Sequence, residues 1–498
     1  MRLIFSIFAF LFLTAGCGPD ISYVNLSVDK TSLEFTVEGG VRSFTVTSSD
    51  GLQVVPGANW IKVTKGAGRE DDQTLVTVTV GKNTSASARQ TTITLMAGAE
   101  RQDVDVYQAG IEFNNEEIIL PEGKLAGNLA AIFGLGWNLG NHFDAYNNGV
   151  AGETAWGNPE ATQDTFFKIK EAGFKTVRIP VTWLGKFGGA PNYKISEAWL
   201  NRIAEVVTYA ENAGLMVIIN IHHDGADSKH WLDILGASKD EAVHQRVLEQ
   251  VTAMWTQIAL KFKDKGHFLV FEAFNEIHDG GWGWGSNRKD GGKQYRCMNE
   301  WNQAFVDAVR ATGGNNADRI LGIPAYCTNT DIAIESFVMP QDSAEDRLMI
   351  SVHSYDPSEY TLTAKYSEWG HTADASKKAP GNNENELKTL FLKIHDHFMS
   401  KGIPVYLGEF GCVNRSTERE QAFQQYYLKY YVKLARTYGV PCILWDNGAK
   451  GHGEERHAFI DHGTGEYCSE EAEAAVKAMM DSYCNDLTLE QIYNGAPK

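Results

Sequence analysis

Two glutamates that each follow a short apolar run are the residues in this sequence most suited to chemistry. Glu276 ends the stretch that begins at Phe268, and Glu409 ends the stretch that begins at Ile403. An apolar run of this length is typical of a buried strand. A carboxylate at the end of such a strand is costly unless the site there is polar and functional. Two carboxylates held on separate rigid strands are the groups needed to split a glycosidic bond.

The elements that must position these carboxylates are strands alternating with helices. Between Ser196 and Gly214 apolar residues recur at helical spacing, and Leu215–Ile221 follows as a strand. Eight such alternations over residues 123–498 predict an α/β fold, a (β/α)8 TIM barrel. A doubly wound open sheet is the alternative, although no Gly-x-Gly-x-x-Gly or P-loop follows a strand. The candidate strands are Phe133–Asn138, Thr176–Val181, Leu215–Ile221, Phe268–Phe274, Ile320–Ala325, Leu348–His353, Pro404–Leu407 and Pro441–Trp445.

Polar and aromatic residues follow almost every one of these strands. Barrel enzymes build their sites at the carboxyl ends of the strands, and a barrel that only packs would not need polar groups there. We therefore expect Glu276 and Glu409 to be catalytic and the other residues to bind substrate. The candidate substrate-binding residues are Asn138, Arg178, His222, His223, Asn275, His353, Tyr355 and Trp445.

The region 24–110 follows a different pattern, with apolar and polar residues alternating in short runs. Thr and Val enrichment and frequent turn signals predict a small all-β, immunoglobulin-like sandwich. Trp60-Ile-Lys-Val63 and the closing Val106-Tyr-Gln-Ala-Gly110 resemble the BACON modules found ahead of carbohydrate-active enzymes in Bacteroidetes. A spacer role is favoured over sugar binding, because the region carries no titratable cluster. Residues 111–122 are expected to form a linker.

The first sixteen residues have the pattern of an export signal. A charged start and a short apolar segment, residues 1–16, precede Cys17. The small residues before Cys17 resemble a bacterial lipoprotein cleavage box, which implies a lipid on Cys17 and anchoring to the outer membrane, facing the exterior. An ordinary secretory signal with an incidental cysteine is the alternative. The six other cysteines match no metal motif, and their pairing stays open.

The net charge limits the possible partners. A formal charge of −18 without a basic cluster argues against binding to nucleic acid. It is compatible with a neutral polysaccharide, and twelve tryptophans offer rings on which sugar faces can stack. Nothing in the sequence calls for a metal or another cofactor.

Short motifs across residues 130–480 are similar, in order, to those of glycoside hydrolase family five. They are Gly136–Asn141, Thr176–Pro180, Ile221–His223, Phe274–Glu276, His353–Tyr355 and Leu407–Phe410. Two further motifs, Glu153–Pro159 and Arg310–Asn316, resemble subfamily four, the endo-glucanases and xyloglucanases. One departure is Ile277, where many relatives have proline.

This resemblance implies a retaining hydrolase in which Glu276 is the acid/base and Glu409 the nucleophile. It also implies that Asn275 binds the sugar 2-hydroxyl and that Trp445 is a stacking platform. We expect desolvation and repulsion to raise the pKa of Glu276, while Arg178 and Tyr355 hold Glu409 charged. The three histidines would bind hydroxyls and orient the carboxylates. Trp282, Trp284 and Trp369 are candidates for outer subsites.

Three of these assignments have alternatives. Arg178 could instead neutralise the buried Glu272, and Trp445 could be a core residue. His222 and His223 could be zinc ligands, but adjacent residues on a strand point apart. The predicted activity is that of an endo-β-1,4-glucanase, with xyloglucan favoured. A mannanase or xylanase on the same barrel, or a surface protein that binds glycan without cutting it, are the other candidates.

Overall fold

The chain divides into two compact units after Ile111. The computed structural model describes residues 25–83, 85, 87–111, 118–381 and 383–498. The predicted signal peptide (residues 1–16), Cys17 and residues 112–117 of the predicted linker lie outside these ranges. Within them, no helix combines the length and the apolar character that crossing a membrane requires.

The first unit is a sandwich of two four-stranded sheets. The sheet orders are β1-β3-β6-β5 and β2-β8-β7-β4, and neighbouring strands are antiparallel except for the parallel pair β2 and β8. The strands are β1 (Leu26–Val28), β2 (Ser32–Phe35), β3 (Gly40–Ser48), β4 (Leu52–Pro56), β5 (Ile61–Ala67), β6 (Gln73–Val80), β7 (Arg89–Ala97) and β8 (Glu100–Gln108).

The alternating pattern of the sequence explains the sandwich core. In β8, Val104 and Val106 are buried while Asp105 and Tyr107 face outward, as the period of two along a strand requires. Gln108 at the end of β8 is also buried. Its amide nitrogen donates to three backbone carbonyls, those of residues 36, 37 and 81, so this polar group fixes the turns beside it. The predicted all-β sandwich is confirmed.

The second unit contains a closed barrel of eight parallel strands. Each predicted strand is present, with ends that differ by a few residues, so the predicted TIM barrel is confirmed. The strands, in barrel order, are β9 (Leu135–Asn138), β12 (Thr176–Ile179), β13 (Met216–Asn220), β14 (Leu269–Glu272), β15 (Leu321–Pro324), β16 (Leu348–His353), β17 (Val405–Phe410) and β18 (Cys442–Leu444). A short hairpin, β10 (Tyr146–Asn147) with β11 (Val150–Ala151), lies between β9 and β12 in the chain.

Helices connect the barrel strands. They are α1 (Leu125–Phe133), α2 (Gln163–Glu171), α3 (Glu197–Asn212), α4 (Ile234–Ala237), α5 (Glu241–Lys261), α6 (Lys293–Ala311), α7 (Thr330–Ser336), α8 (Ser358–Thr361), α9 (Glu384–His397), α10 (Glu418–Tyr438), α11 (Glu470–Cys484) and α12 (Leu489–Asn494). Phe133, predicted as the start of a strand, instead ends α1. Leu125, Leu129 and Phe133 recur every four residues and bury one face of that helix, and Gly134 follows with a φ of 56°.

Candidate active site

The two predicted carboxylates meet at the carboxyl end of the barrel. Glu276 lies beyond the end of β14, and Glu409 lies on β17. A carboxylate oxygen of each lies within 4.8 Å of one from the other, and the Nδ1 atom of His353 lies between them. That nitrogen is 2.7 Å from Glu276 Oε1 and 3.7 Å from Glu409 Oε2. This separation matches a pair that acts directly on one bond, and it is too small for the intervening water that an inverting pair needs.

A local irregularity in the barrel aims Glu409 at this point. The sequence placed Glu409 after a strand that ends at Leu407, but β17 continues to Phe410. The register of β17 shifts against both of its neighbours over this segment, and such irregularities re-aim side chains beside active sites. Gly408 leaves the space that this needs, because a Cβ atom there would lie 2.8 Å from His353 Nε2.

Two donors hold the Glu409 carboxylate. Arg178 Nη1 donates to Oε1 and the Tyr355 hydroxyl donates to Oε2, each over 2.8 Å. Burial, together with the nearby charge of Glu409, holds the pKa of Tyr355 well above its ordinary value, so the phenol keeps its proton and remains a donor. Hydrogen bonds of this kind favour the ionised carboxylate.

The environment of Glu276 differs from the one expected. Burial raises the pKa of Glu276, but the hydrogen bond from His353 and nearby positive charge lower it by more. The net effect places this pKa below that of an ordinary glutamate, so the expected increase is wrong. The expectation counted burial and repulsion from Glu409, and it did not include the His353 contact.

Arg178 and Asn138 support the site from beneath. Both side chains are fully buried. Arg178 donates to Glu272, Glu409, Asn138 and Asn275 over 2.8 to 3.0 Å. The Asn138 amide nitrogen donates to backbone carbonyls of β17 and β18. Their assignment as substrate-binding residues is therefore wrong, because their polar groups are used within the protein. Arg178 does bind Glu272, as the alternative held, and it binds Glu409 as well.

The two adjacent histidines lie closer together than expected. Their ring centroids are 4.4 Å apart, because β13 ends at Asn220 and the pair lies beyond the strand. The argument that these side chains point apart is wrong. His222, His223 and Asp144 bring possible ligand atoms within 4.8 Å of one another, as do Glu276, His353 and Glu409.

Hydrogen bonds nevertheless occupy the atoms that a metal would need near His222. Asn220 Oδ1 accepts from a backbone amide, so the Asn220 Nδ2 group is the donor to both Glu272 and His222. His222 Nδ1 therefore accepts a hydrogen bond and carries no proton. Burial holds the pKa of His222 well below its ordinary value, so the neutral ring carries its proton on Nε2. An N–H group cannot ligate a metal, but it can donate to a sugar hydroxyl.

A cavity of about 620 Å³ lies above the two carboxylates. Trp445 lines it with only 8% of its surface exposed, and its ring plane lies within 5° of that of His222. The Asn275 carbonyl oxygen is used by Arg178, which leaves its amide nitrogen for a ligand. The predicted site residues that line the cavity are His222, His223, Asn275, Glu276, His353, Tyr355, Glu409 and Trp445.

The tryptophans proposed for outer subsites divide into two groups. Trp282 lines the main cavity and Trp284 lines a second one of about 420 Å³, and both are exposed. Trp369 is 1% exposed and packs against Tyr426, Tyr427 and Tyr430 of α10. The ring also lines the second cavity beside Trp284, so its assignment to an outer subsite stays a prediction.

Several residues of the site were not found from the sequence. Asn220, Ser351 and Tyr406 lie on barrel strands and donate to the Glu272 carboxylate inside the barrel. The available signal was a polar side chain within an apolar run. Trp156 and Thr328 line the cavity, and Thr328 Oγ1 is 3.5 Å from Glu276 Oε1.

The barrel interior predicts a measurable effect at Gly322. A Cβ atom there would lie 2.5 Å from the Tyr406 hydroxyl and 3.3 Å from Glu272 Cβ. Gly322→Ala should therefore lower the free energy of unfolding by about 1 to 3 kcal/mol, measured by denaturant titration. Gly127→Ala is the matched control, since its Cβ would meet nothing within 4 Å. Equal stability of both variants would contradict the close packing described here.

The chain is similar to known proteins over both units. Residues 141–451 match the family described as Cellulase (glycosyl hydrolase family 5), and residues 32–109 match BACON, described as a putative binding domain. Endoglucanase A of Paenibacillus barcinonensis is 37% identical over 346 residues, 66% of this chain and 84% of the relative. A xyloglucan-specific endo-beta-1,4-glucanase of Bacteroides ovatus is 31% identical over 439 residues, 84% of this chain and 85% of the relative.

A solved structure adds to this. The GH5-4 broad specificity endoglucanase from Bacteroides salanitronis is 53% identical, with a TM-score of 0.72, over 75% of this chain and 98% of that protein. The match to the family covers more than half of the chain and includes both carboxylates. The chain is therefore a glycoside hydrolase that belongs to family 5, with a BACON domain preceding its barrel.

Proposed function

We propose that this enzyme is a retaining endo-β-1,4-glucanase that cuts internal bonds of a plant glucan, with xyloglucan favoured. The observation that carries the proposal is the approach of the Glu276 and Glu409 carboxylate oxygens to within 4.8 Å of each other in the lining of a cavity of about 620 Å³. The Bacteroides ovatus relative, which aligns across 84% of this chain, acts on xyloglucan. That likeness supports the substrate preference.

In the first step Glu409 attacks the anomeric carbon and Glu276 protonates the glycosidic oxygen. The bond between carbon and glycosidic oxygen breaks, the leaving chain departs as an alcohol, and the sugar stays on Glu409 as an ester. When the substrate excludes water from the cleft, the loss of solvation raises the pKa of Glu276. This favours the protonated form that the first step needs. Asn275 donates to the 2-hydroxyl, and Trp445 stacks beneath the reacting sugar.

In the second step Glu276 acts as the base. It removes a proton from a water molecule, whose oxygen attacks the anomeric carbon and releases Glu409 as a carboxylate. Two inversions at one carbon give net retention. Both steps use the same pair, so no metal or other cofactor takes part in the proposal.

Product analysis on several glycans tests this function. Tamarind xyloglucan, carboxymethyl cellulose, mannan and xylan would each be incubated with the enzyme. We expect a rapid fall in viscosity with few new reducing ends, and the highest kcat/KM on xyloglucan. Preference for mannan or xylan would favour the other enzyme candidates. No cleavage of any glycan would favour a surface binding protein and overturn the proposal.

The Tyr355 hydroxyl gives a further prediction. Tyr355→Phe removes one of the two donors to Glu409 and leaves Arg178 as the other. We expect kcat to fall by about 10²-fold. Initial rates on an aryl cellobioside measure the loss. Turnover equal to that of the native enzyme would show that the hydroxyl does not contribute to catalysis.

We further propose that Cys17 carries a lipid that anchors the enzyme to the outer membrane. The charged start, the apolar segment and the small residues before Cys17 support this proposal. In a Gram-negative host, alkyne-labelled palmitate should mark the protein, and Cys17→Ser should abolish the label and the membrane fractionation. An unlabelled, freely released native protein would overturn it.

A further inference from the structure

Glu272 is a buried carboxylate that the mechanism above leaves unused. Its side chain is fully buried at the end of β14 and does not line the cavity. Oε1 accepts from the Ser351 and Tyr406 hydroxyls over 2.7 and 2.6 Å. Oε2 accepts from Arg178 and Asn220, each over 2.8 Å. Four donors around one buried carboxylate are the arrangement that keeps it charged.

Arg178 joins this carboxylate to Glu409. Its Nε atom donates to Glu272, and its Nη1 atom donates to Glu409. One fully buried cation therefore lies between two carboxylates, of which only Glu409 reaches the cavity. The three groups together carry one negative charge when both carboxylates are ionised.

This charge count changes during the proposed reaction. Once Glu409 carries the sugar as an ester, it is neutral, and Arg178 with Glu272 forms a neutral pair. Without the charge of Glu272, the same ester would leave the buried guanidinium without a hydrogen-bonded carboxylate, and the ionised Glu276 would be the remaining negative charge near it. An unpaired buried charge is strongly unfavourable.

We propose that Glu272 is a positioning residue that acts through Arg178, and that its charge compensates Arg178 while the sugar is bound to Glu409. This inference rests on the proposed function, since it assumes that Glu409 is the nucleophile. Glu272 does not touch the substrate. Its charge makes ester formation easier, because Arg178 still has a carboxylate partner after Glu409 has become a neutral ester.

Removal of the charge has opposite effects on the two steps. In Glu272→Gln the attack of Glu409 on the anomeric carbon becomes slower. Glu409 loses its negative charge when it forms the ester, and Arg178 is then left without a carboxylate partner. Release of the ester by water becomes faster, because it restores the pair between Arg178 and Glu409.

The charged and titratable groups around this pair come from several elements. Arg178 of β12 faces both carboxylates, and His353 and Tyr406 face Glu272 from β16 and β17. The groups that face Glu409 or Arg178 are His222, Glu276, His353, Tyr355, Tyr406 and Glu455. All of them remain in the Glu272→Gln variant, so a change in its kinetics reports the missing charge.

Pre-steady-state kinetics with 2,4-dinitrophenyl β-cellobioside tests the proposal. The native enzyme should release a burst of dinitrophenol, because breakdown of the ester limits turnover on this substrate. Glu272→Gln should lose the burst and lower kcat/KM by about 100-fold. A burst and a kcat/KM equal to those of the native enzyme, in a variant shown to be folded by circular dichroism, would overturn the proposal.

Tyr406→Phe is the matched control and also decides the case if Glu272→Gln does not fold. It removes one hydrogen bond from Glu272 but keeps the charge, so the burst should persist with less than about a tenfold loss of kcat/KM. Loss of the burst in Tyr406→Phe would show that hydrogen-bond geometry, and not charge, is responsible.

A covalent trap separates this inference from the proposed function. The 2-deoxy-2-fluoro analogue of the same cellobioside should label the native enzyme on the peptide that contains Glu409. A label elsewhere would overturn the nucleophile assignment itself. A label on Glu409 together with a native burst in Glu272→Gln would overturn the role of Glu272 alone.

Discussion

Replacing Glu409 by alanine is expected to lower the turnover of xyloglucan by about 10⁵-fold. The variant lacks the oxygen that attacks the anomeric carbon, and no other carboxylate of the cavity has both Arg178 and Tyr355 as donors among the described residues. Initial rates of reducing-sugar release measure the loss. Both donors remain in place, so the variant should fold with a space where the carboxylate was.

A small external nucleophile supplies the positive test of this variant. Azide should enter the space and attack an activated aryl cellobioside, giving an α-glycosyl azide by a single inversion. Glu345→Ala is the matched control, because that side chain is 89% exposed and contacts a surface lysine, and its rate should equal that of the native enzyme. Activity of Glu409→Ala near that of the native enzyme, or a β-glycosyl azide, would contradict the assignment.

Replacing Glu276 by alanine is expected to separate two classes of substrate. Turnover of xyloglucan should fall by about 10³-fold, because its sugar alkoxide cannot leave without a proton. Attack on 2,4-dinitrophenyl β-cellobioside should persist, because that leaving group needs no proton. The measurement is kcat/KM on both substrates for the folded variant. An equal loss on both would contradict the role of Glu276 as acid.

The pH profile extends this prediction with a defined sign. The acid must be protonated, so kcat/KM on xyloglucan declines as pH rises through the pKa of Glu276. His353 holds this pKa below that of an ordinary glutamate, which places the decline on the acid side of neutral. On the dinitrophenyl substrate both the native enzyme and Glu276→Ala should lack this decline, because that leaving group needs no proton. A decline that persists unchanged would assign it to another group.

The barrel was predictable because its strands are buried on both faces and therefore read as apolar runs. Where burial is partial, the signal is weaker. Strand β4 (Leu52–Pro56) of the sandwich is hard to recognise in the sequence, since none of its residues is fully buried and its alternation is faint. The predicted start of β9 was wrong, because an apolar residue such as Phe133 fits the pattern of a buried helix face as well as that of a strand. Only the spacing from Leu125 and Leu129 identifies it as helical.

The catalytic pair was predictable from its place after apolar runs, but the contacts of the residues around the pair were not. Asn138 and Arg178 occupy strand ends, like the residues that line the cavity, yet their polar groups are used by other side chains. The low pKa of Glu276 depends on a contact with His353, which is distant in sequence. From the sequence, Glu272 could be considered only as an alternative partner of Arg178. Its four donors come from separate strands and meet only when the barrel closes.

The stereochemistry of the first product tests the central claim most directly. Proton nuclear magnetic resonance can follow the anomeric signals of a cello-oligosaccharide during the first minutes of hydrolysis, before mutarotation mixes the anomers. Since Glu276 and Glu409 are too close to admit a water between them, the newly formed reducing end should emerge as the β anomer. Initial release of the α anomer would mean direct attack by water and would contradict a covalent glycosyl-enzyme on Glu409.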